Sequence, residues 1–385
     1  MHRHYWTDGL TWACNLGMFV FGIALAILGV LLPVLFERVE LDPAQAGSLF
    51  LFLNLGALLV TVISGPVFDR FGFKGMMIVF AILAGTSFIG FAYAGRYATL
   101  ATSSFLLGLG GGGLNAGTNA MVADLYPTER AAALTRLGVF FGFGTLFIPL
   151  LIGFLLDVLS LKGILLITGA VGLLPGVLFL MFEFPPAKHT GGFPVAQALA
   201  LLRHPVVLLL GVLLFFQSGN EITSSGWMTT FLVQKILVTP AQASLYLAGF
   251  WAALILGRLV SSLALRRLSE STVVQASALA AFFSVLAFVL FPHPVLSAVW
   301  ACLIGFSMAA IFPSVLGQAS ARFPELSGTL IGALIAIALV GGMLIPWIAG
   351  LLVGSGMLSG ALLLPAFGFF AVFLLQTVVR GVRSG

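Results

Sequence analysis

The stretch "LDPAQAGSLF" (residues 41–50) returns 197 residues later as "VTPAQASLYL" (residues 238–247), with Pro43-Ala44-Gln45-Ala46 repeated as Pro240-Ala241-Gln242-Ala243. The same offset pairs Gly22 with Gly219, Gly29 with Gly226 and Gly108 with Gly305. It also pairs Pro127 with Pro324, Gly144 with Gly341, Pro149 with Pro346 and Gly153 with Gly350. Scattered identities in Leu/Ala-rich sequence mean little. Gly and Pro punctuate helices, and here they match without one gap. The chain is two copies of one unit.

Composition says what surrounds those copies. Of 385 residues, 60 % are hydrophobic and 8 % charged, against about 25 % charged in a soluble domain. Such a chain has too few polar groups to cover its own surface, so its solvent is lipid. Apolar runs of about 20 residues recur, each long enough to span a bilayer as a helix. They lack the alternation of a lipid-facing barrel strand, and a helix satisfies its own backbone. Breaks at charged and turn residues predict helices near 12–36, 44–67, 74–95, 98–123, 133–157 and 163–182. A polar stretch follows, then helices near 206–235, 241–265, 271–291, 295–320, 327–353 and 358–379. The expectation is an all-α membrane protein of twelve transmembrane helices: a bundle at 1–182, a cytoplasmic linker at 183–204 and a bundle at 205–385. Six is even, so both copies enter the membrane in the same orientation, as in transporters built from parallel repeats. A substrate site between the copies, exposed alternately to each side, is the natural consequence.

The net charge of +5 does not point to nucleic acid, because the basic residues sort by side. Arg70, Lys74, Arg130, Arg136, Lys188, Arg203, Arg266, Arg267, Arg322, Arg380 and Arg383 fall on one predicted face, with only Arg38, Arg96, Lys162 and Lys235 on the other. The positive-inside rule then places both termini and the linker in the cytoplasm, in a bacterial-type inner membrane. The first apolar run is long and lacks a small-residue cleavage site, so no cleavable signal is expected. Cys14 and Cys302 both lie in predicted membrane helices, with no disulfide framework and no metal-ligand spacing. No phosphate-binding Gly/Lys loop and no nucleophile with a base is present, so neither an enzyme nor a cofactor is expected. The working unit is expected to be a monomer in contact with membrane lipids.

"GPVFDRFGFKG" (65–75) follows the second predicted helix on the cytoplasmic face. It resembles the loop signature of the major facilitator superfamily, G-x-x-x-D-R-x-G-x-[RK], at Gly65, Asp69, Arg70, Gly72 and Lys74. The resemblance implies the major facilitator fold and a conformational latch at this loop, which in the family stabilises the outward-open state. Asp124 and Arg130, in "VADLYPTERAAAL" (122–134), belong to the same cytoplasmic charge network. The repeat "SSLALRRLS" (261–269) keeps Arg266 and Arg267 but has no acid, so a one-sided latch is expected.

Ionisable residues at membrane depth are costly and usually functional. Two qualify, Glu221 and Arg258. Glu221 lies about fifteen residues, or roughly 22 Å, from the inner end of the seventh predicted helix, in "FFQSGNEITSSGW" (215–227). Gln217, Glu221, Ser224 and Met228 follow the i, i+4, i+7, i+11 spacing of one helical face, with Asn220 and Trp227 beside it. Amides, a carboxylate and an aromatic ring suit a sugar: hydroxyls want donors and acceptors, and a pyranose C–H face stacks on Trp. Amides and serines also hydrogen-bond between helices, and the two readings stay open side by side. In "GLGGGGLNAGTNAMVAD" (108–124), Asn115 and Asn119 are one turn apart, after glycines that admit a neighbouring helix or let this one flex. Asn54 and Trp251 are further cavity candidates. Arg258 is about 10 Å from Glu221 in depth on these assignments. A direct pair is therefore not assured; Arg258 either snorkels inward or faces a carboxylate.

"GNEITSSGW", "LGRLVSS", "IFPSVLGQ", "GGGLNAGTNAMVADLYP" and "VGGMLIPWIAG" together resemble the fucose–proton and glucose/mannose symporter group of that superfamily. That resemblance implies a monosaccharide transporter. Departures stand beside it. The acid that fucose symporters carry before L-L-P in helix 1 is Gly29 here, in "LGVLLP" (28–33), and their helix-4 acid is Asn115. If transport is ion-coupled, Glu221 is the mid-membrane carboxylate left for the proton. The repeat sets Ala24 opposite Glu221, so the polar face is specific to the second copy. The expected function is secondary active transport of a hexose-like sugar, with proton symport preferred. Alternatives are an uncoupled facilitator, an exporter of amphipathic molecules (the chain has 36 Phe) or a receptor that binds without moving substrate.

Overall fold

The computed structural model describes residues 5–6, 8–185, 204–323 and 327–381; within helices, the side chains at 65–67, 69–70, 131 and 327–329 lie outside that description. Every element in it is helical. The first copy comprises α1 (Gly9–Val39), α2 (Pro43–Phe71), α3 (Phe73–Tyr93), α4 (Tyr97–Leu125), α5 (Arg130–Leu155) and α6 (Leu161–Met181). The second comprises α7 (Pro205–Lys235), α8 (Pro240–Ala264), α9 (Glu270–Leu290), α10 (Pro294–Met308), α11 (Ile311–Arg322), α12 (Ser327–Gly354) and α13 (Leu358–Gly381). α10 and α11 together form one span, Pro294–Arg322, interrupted by a turn at Ala309 and Ala310.

Among the described residues, eleven helices are long and apolar enough to cross a membrane. The twelfth, α4, is 29 residues long, but its glycine run and asparagines dilute its apolarity. Residues 68–71, read from sequence as lying beyond the helix near 44–67, instead extend α2 as far as Phe71. Gly72 makes the turn into α3 at φ 75°, a left-handed conformation that favours glycine.

The repeated "PAQA" has a mechanical reason. Thr239 caps α8, accepting from the Gln242 N–H at 3.2 Å, while the Gln242 side chain accepts from the Thr239 N–H at 3.1 Å. In the first copy, Asp42 Oδ1 accepts from the Gln45 N–H at 2.7 Å and Gln45 accepts from the Asp42 N–H at 3.3 Å. Both are reciprocal capping boxes, and Pro43 and Pro240 take the first helical position, where a missing N–H costs nothing.

The matched glycines recur as matched contacts. A Cβ on Gly22 would lie 2.9 Å from the Gly144 Cα, and one on Gly219 would lie 2.9 Å from the Gly341 carbonyl oxygen. Gly108 packs on the Leu53 backbone and Gly305, at the same offset, on that of Phe250. α1 on α5 and α2 on α4 are thus repeated as α7 on α12 and α8 on α10. Small residues let membrane helices approach backbone to backbone, where dispersion holds them in the absence of a hydrophobic drive.

Packing divides the chain into two compact units, residues 1–28 with 52–193, and residues 29–51 with 194–385. The α1–α2 hairpin tip, 29–51, packs within the second unit. In the first, α3 packs on both α4 and α6; in the second, α7 packs on α12 and α13.

Candidate functional site

α7 is pinned at its start by Pro205 and by His204, whose Nδ1 accepts from the Val206 N–H at 3.3 Å. Its middle carries an unusual load of buried polar groups. Gln217 and Asn220 are fully buried, Ser224 nearly so, and Glu221 is half-buried. Both amide atoms of Gln217 and of Asn220, and the hydroxyls of Thr223, Ser224 and Thr230, have no hydrogen-bonding partner among the described residues. Gln217 lies one turn from Glu221, close enough for its amide to act on the carboxyl group, yet short of hydrogen-bonding geometry. Burying such groups unsatisfied costs about 1–3 kcal/mol each. That cost makes this segment the chemically exceptional part of the molecule.

Arg258 of α8 places its positive charge within electrostatic reach of Glu221. Glu221 thus has the positive charge of Arg258 acting on it.

The two residues beside the predicted face turn to neighbouring helices. Asn220 turns toward α13, where a Cβ on Gly368 would lie 2.7 Å from its amide nitrogen. Trp227 has no exposed surface. Its indole N–H donates to the Pro346 carbonyl of α12 at 3.1 Å, and its ring lies 6.4 and 6.5 Å from those of Phe36 and Phe50. Trp251 is buried edge-on against Phe250 at 5.1 Å.

In the first unit, Asn119 donates from Nδ2 to both the carbonyl and the side-chain oxygen of Asn115, each at 2.9 Å. Both asparagines are half-buried on one face, while Asn54 of α2 is buried. The glycines before them serve close approach: a Cβ on Gly110 would lie 2.5 Å from the Ala84 nitrogen, and one on Gly112 2.9 Å from the Ala57 Cα.

At the 65–75 motif, the side chains of Gly65, Asp69 and Arg70 lie outside the described residues. Lys74 donates to the Leu180 carbonyl at 3.1 Å, a cation at the C-terminal end of α6. Asp124 and Arg130 are exposed at the facing ends of α4 and α5. The second copy does have an acid, one residue past the quoted stretch. Glu270 opens α9 and its carboxylate rests against Gly317 of α11, 2.7 Å from where a Cβ would stand.

Sequence reading passed over Thr223, Thr229 and Thr230, all buried on α7. Their signal was present as hydroxyls in "ITSSGWMTTF" (222–231), but threonine is common in helices that bond it to their own backbone. It also passed over an aromatic strap before α1. There the Tyr5 hydroxyl donates to Asn15 at 2.7 Å, the Arg136 guanidinium lies 5.2 Å over the Tyr5 ring, and Thr11 joins Asp8 to the Tyr126 hydroxyl.

Eleven helices apolar enough to cross a membrane, with α4 beside them and a polar stripe on α7, define a membrane transporter. The sequence profile of the Major Facilitator Superfamily matches residues 14–346, and the chain belongs to that family, one of transporters and not of enzymes. Over 349 residues it is 24 % identical to the uncharacterized MFS-type transporter YfkL of Bacillus subtilis, covering 88 % of this chain and 87 % of that one. Among solved structures it resembles the nucleoside transporter NupG at a TM-score of 0.80 and 14 % identity, covering 98 % of this chain and 100 % of that one. It also resembles the fucose:proton symporter FucP of E. coli at 0.64 and 20 % identity, over 98 % and 99 %. At these identities the structural likenesses establish the fold.

Proposed function

We propose that this transporter moves a monosaccharide, hexose-like in size, across the inner membrane by alternating access, with both termini in the cytoplasm and proton coupling through Glu221. The observation that carries this reading is the set of unpartnered polar groups on α7. Amides and hydroxyls buried without partners are complementary to a ligand that brings its own donors and acceptors, and a polyol does. Glu221 already has a counter-charge in Arg258, which favours a neutral substrate over an organic cation. Gln217, Glu221 and Ser224 form the centre of the substrate site, with Asn220, Trp227 and Trp251 as its further contacts; in the first unit, Asn54, Asn115 and Asn119 are the candidate polar groups, taken by themselves. The resemblance to sugar–proton symporters in the helix motifs supports the same reading. Bundles 1–182 and 205–385, joined by 183–204, are the moving bodies, and the 65–75 motif with Asp124 and Arg130 is their cytoplasmic latch.

The test is uptake of labelled D-glucose, D-mannose and L-fucose into liposomes holding the purified protein, with and without an imposed pH gradient. Accumulation that follows the gradient is expected. Exchange indifferent to the gradient would remove proton coupling, leaving a facilitator. Efflux of lipophilic cations without any sugar uptake would replace the sugar reading with that of an exporter.

A further inference from the structure

Within the first unit, the chain ahead of α1 ties three helices together at one end. The Tyr5 hydroxyl donates to Asn15 of α1 at 2.7 Å. The Tyr5 ring lies 5.3 Å from that of Tyr126, the residue that ends α4. The Arg136 guanidinium of α5 covers the same Tyr5 ring at 5.2 Å, within reach of a cation–π attraction. Asp8 Oδ2 accepts from the Thr11 N–H at 2.9 Å and from its hydroxyl at 2.6 Å. With that proton given to the carboxylate, the Thr11 oxygen accepts from the Tyr126 hydroxyl at 2.8 Å. Trp6 completes the set: its carbonyl accepts from the Trp12 indole at 2.9 Å, and Trp12 stands edge-on to Phe140 of α5 at 5.6 Å.

Beneath these contacts, Cys14 and Asn15 have no exposed surface, and Tyr5 itself is 3 % exposed. The Tyr5 hydroxyl and the Asp8 carboxylate both act electrostatically on Cys14, so the segment runs across that thiol. The Asn15 amide nitrogen has no hydrogen-bonding partner among the described residues. It gains one from water as soon as the cover lifts, which offsets part of the loss of the Tyr5 bond. The helix contacts below are made by small residues. Gly9 lies against the Phe182 ring, and a Cβ on Gly17 would lie 3.1 Å from the Thr118 methyl group. Trp6 and Trp12 are 54 % and 43 % exposed, and such rings are at home in the headgroup layer, so they can swing without leaving it. We propose that Tyr5, Trp6 and Asp8 form a cytoplasmic clasp on α1, α4 and α5 that opens in the folded protein and sets how readily those helix ends part. The clasp rests on the cytoplasmic placement of the termini in the proposed function and not on the identity of the substrate.

The native Cys14 reports on it. Cys302→Ala leaves Cys14 as the one thiol of the full chain. A membrane-impermeant maleimide is applied to right-side-out and to inverted vesicles, and thermal unfolding of each variant is followed in detergent. Tyr5→Phe keeps the ring and loses the hydroxyl. Arg136→Gln loses the cation; its ion pair with Glu129, 3.7 Å long and exposed, counts for little. Labelling of Cys14 from the cytoplasmic face should rise about fivefold in Tyr5→Phe and about threefold in Arg136→Gln, with the unfolding temperature only slightly lowered. Because no sugar is added, failure of the sugar reading leaves this measurement intact. Unchanged labelling in both variants would overturn the clasp. So would labelling that appears only where the protein unfolds globally, which would make Tyr5 a fixed part of the core. A rise from the outer face alone would overturn the placement of the termini, and the clasp as a cytoplasmic device with it. If neither variant reaches the membrane folded, the contacts are structural and the clasp is likewise overturned.

Discussion

α1 and α7 are copies of one helix, and they have diverged in one respect. Gly22 seats α1 on Gly144 of α5, and Gly219 seats α7 on Gly341 of α12, in the same way. Two positions further on, α1 has buried Ala24, and α7 has Glu221 with Arg258 acting on it. The contacts that hold the scaffold are repeated, whereas the polar groups are not. Packing between membrane helices depends on small residues at fixed spacing and tolerates any chemistry on the faces that do not touch. The second copy used that freedom.

The comparison breaks hardest at its difference. Glu221 is half-buried with the positive charge of Arg258 acting on it, and removing either one strands the other. Glu221→Ala and Arg258→Ala should therefore each lower the thermal unfolding temperature in detergent markedly. The double substitution should lose less than the sum of the two, the signature of coupled residues. Additive losses would show that the two charges act independently. Glu221→Gln keeps the shape, and gradient-driven sugar accumulation should fall to the level set by exchange alone. Continued accumulation would place coupling elsewhere.

At the shared part, the two copies should fail alike. Gly22→Val drives a side chain into the Phe141–Thr145 backbone, and Gly219→Val into the Ile345 side chain and the Gly341 carbonyl; overpacking of this kind costs about 1–3 kcal/mol. Similar losses in denaturant or thermal unfolding would confirm that the contact is one device used twice. A loss confined to one copy would show that its partner helix can shift.

The caps sharpen the comparison at lower energy. Asp42→Ala and Thr239→Ala each remove a reciprocal cap, with an expected loss of about 1 kcal/mol. Asp42 also carries a charge at a helix N-terminus, so its loss should be the larger at low salt and should converge on that of Thr239 as salt rises.

The smallest effect belongs to the strap before α1, which has no counterpart described before α7. Burial pushes the Tyr5 hydroxyl up to about 12, against which the Asn15 hydrogen bond works in the opposite direction. A folded-state value raised above the unfolded one means that the neutral phenol stabilises the fold. Its contribution is complete below pH 10, declines above that and is lost by about pH 12. Tyr5→Phe should therefore lower stability slightly at pH 8, and the gap from the parent protein should close as pH passes 11.

The helices, their number and the doubling were legible in sequence because each rests on local rules. A run of apolar residues long enough for a bilayer must be a helix, and Gly and Pro mark where it stops or touches. The boundary of α2, which runs on to Phe71, was misread where a charged motif imitates a loop and only Gly72 breaks the helix. Glu221 stood out because a carboxylate at that depth needs a reason. Asn115 and Asn119 fell on one face because helical spacing puts them there, and the bond between them follows from that spacing.

Direction around the axis was not legible. Gln217, Asn220, Glu221 and Trp227 form one cluster in sequence. Whether each meets a ligand, α12 or α13 depends on which neighbour α7 leans against, and no local rule encodes that. Hence Asn220 could be named but not its glycine-lined place on α13, and Trp227 could be named but not its hold on Pro346. The pairing of Arg258 with Glu221 needed both helices in position. The sequence determined that a carbonyl at Gly29 would be orphaned, since Pro33 follows four residues later. Only the tertiary structure decided that Thr229, 200 residues away, would satisfy it, because a backbone acceptor takes whichever donor packing brings.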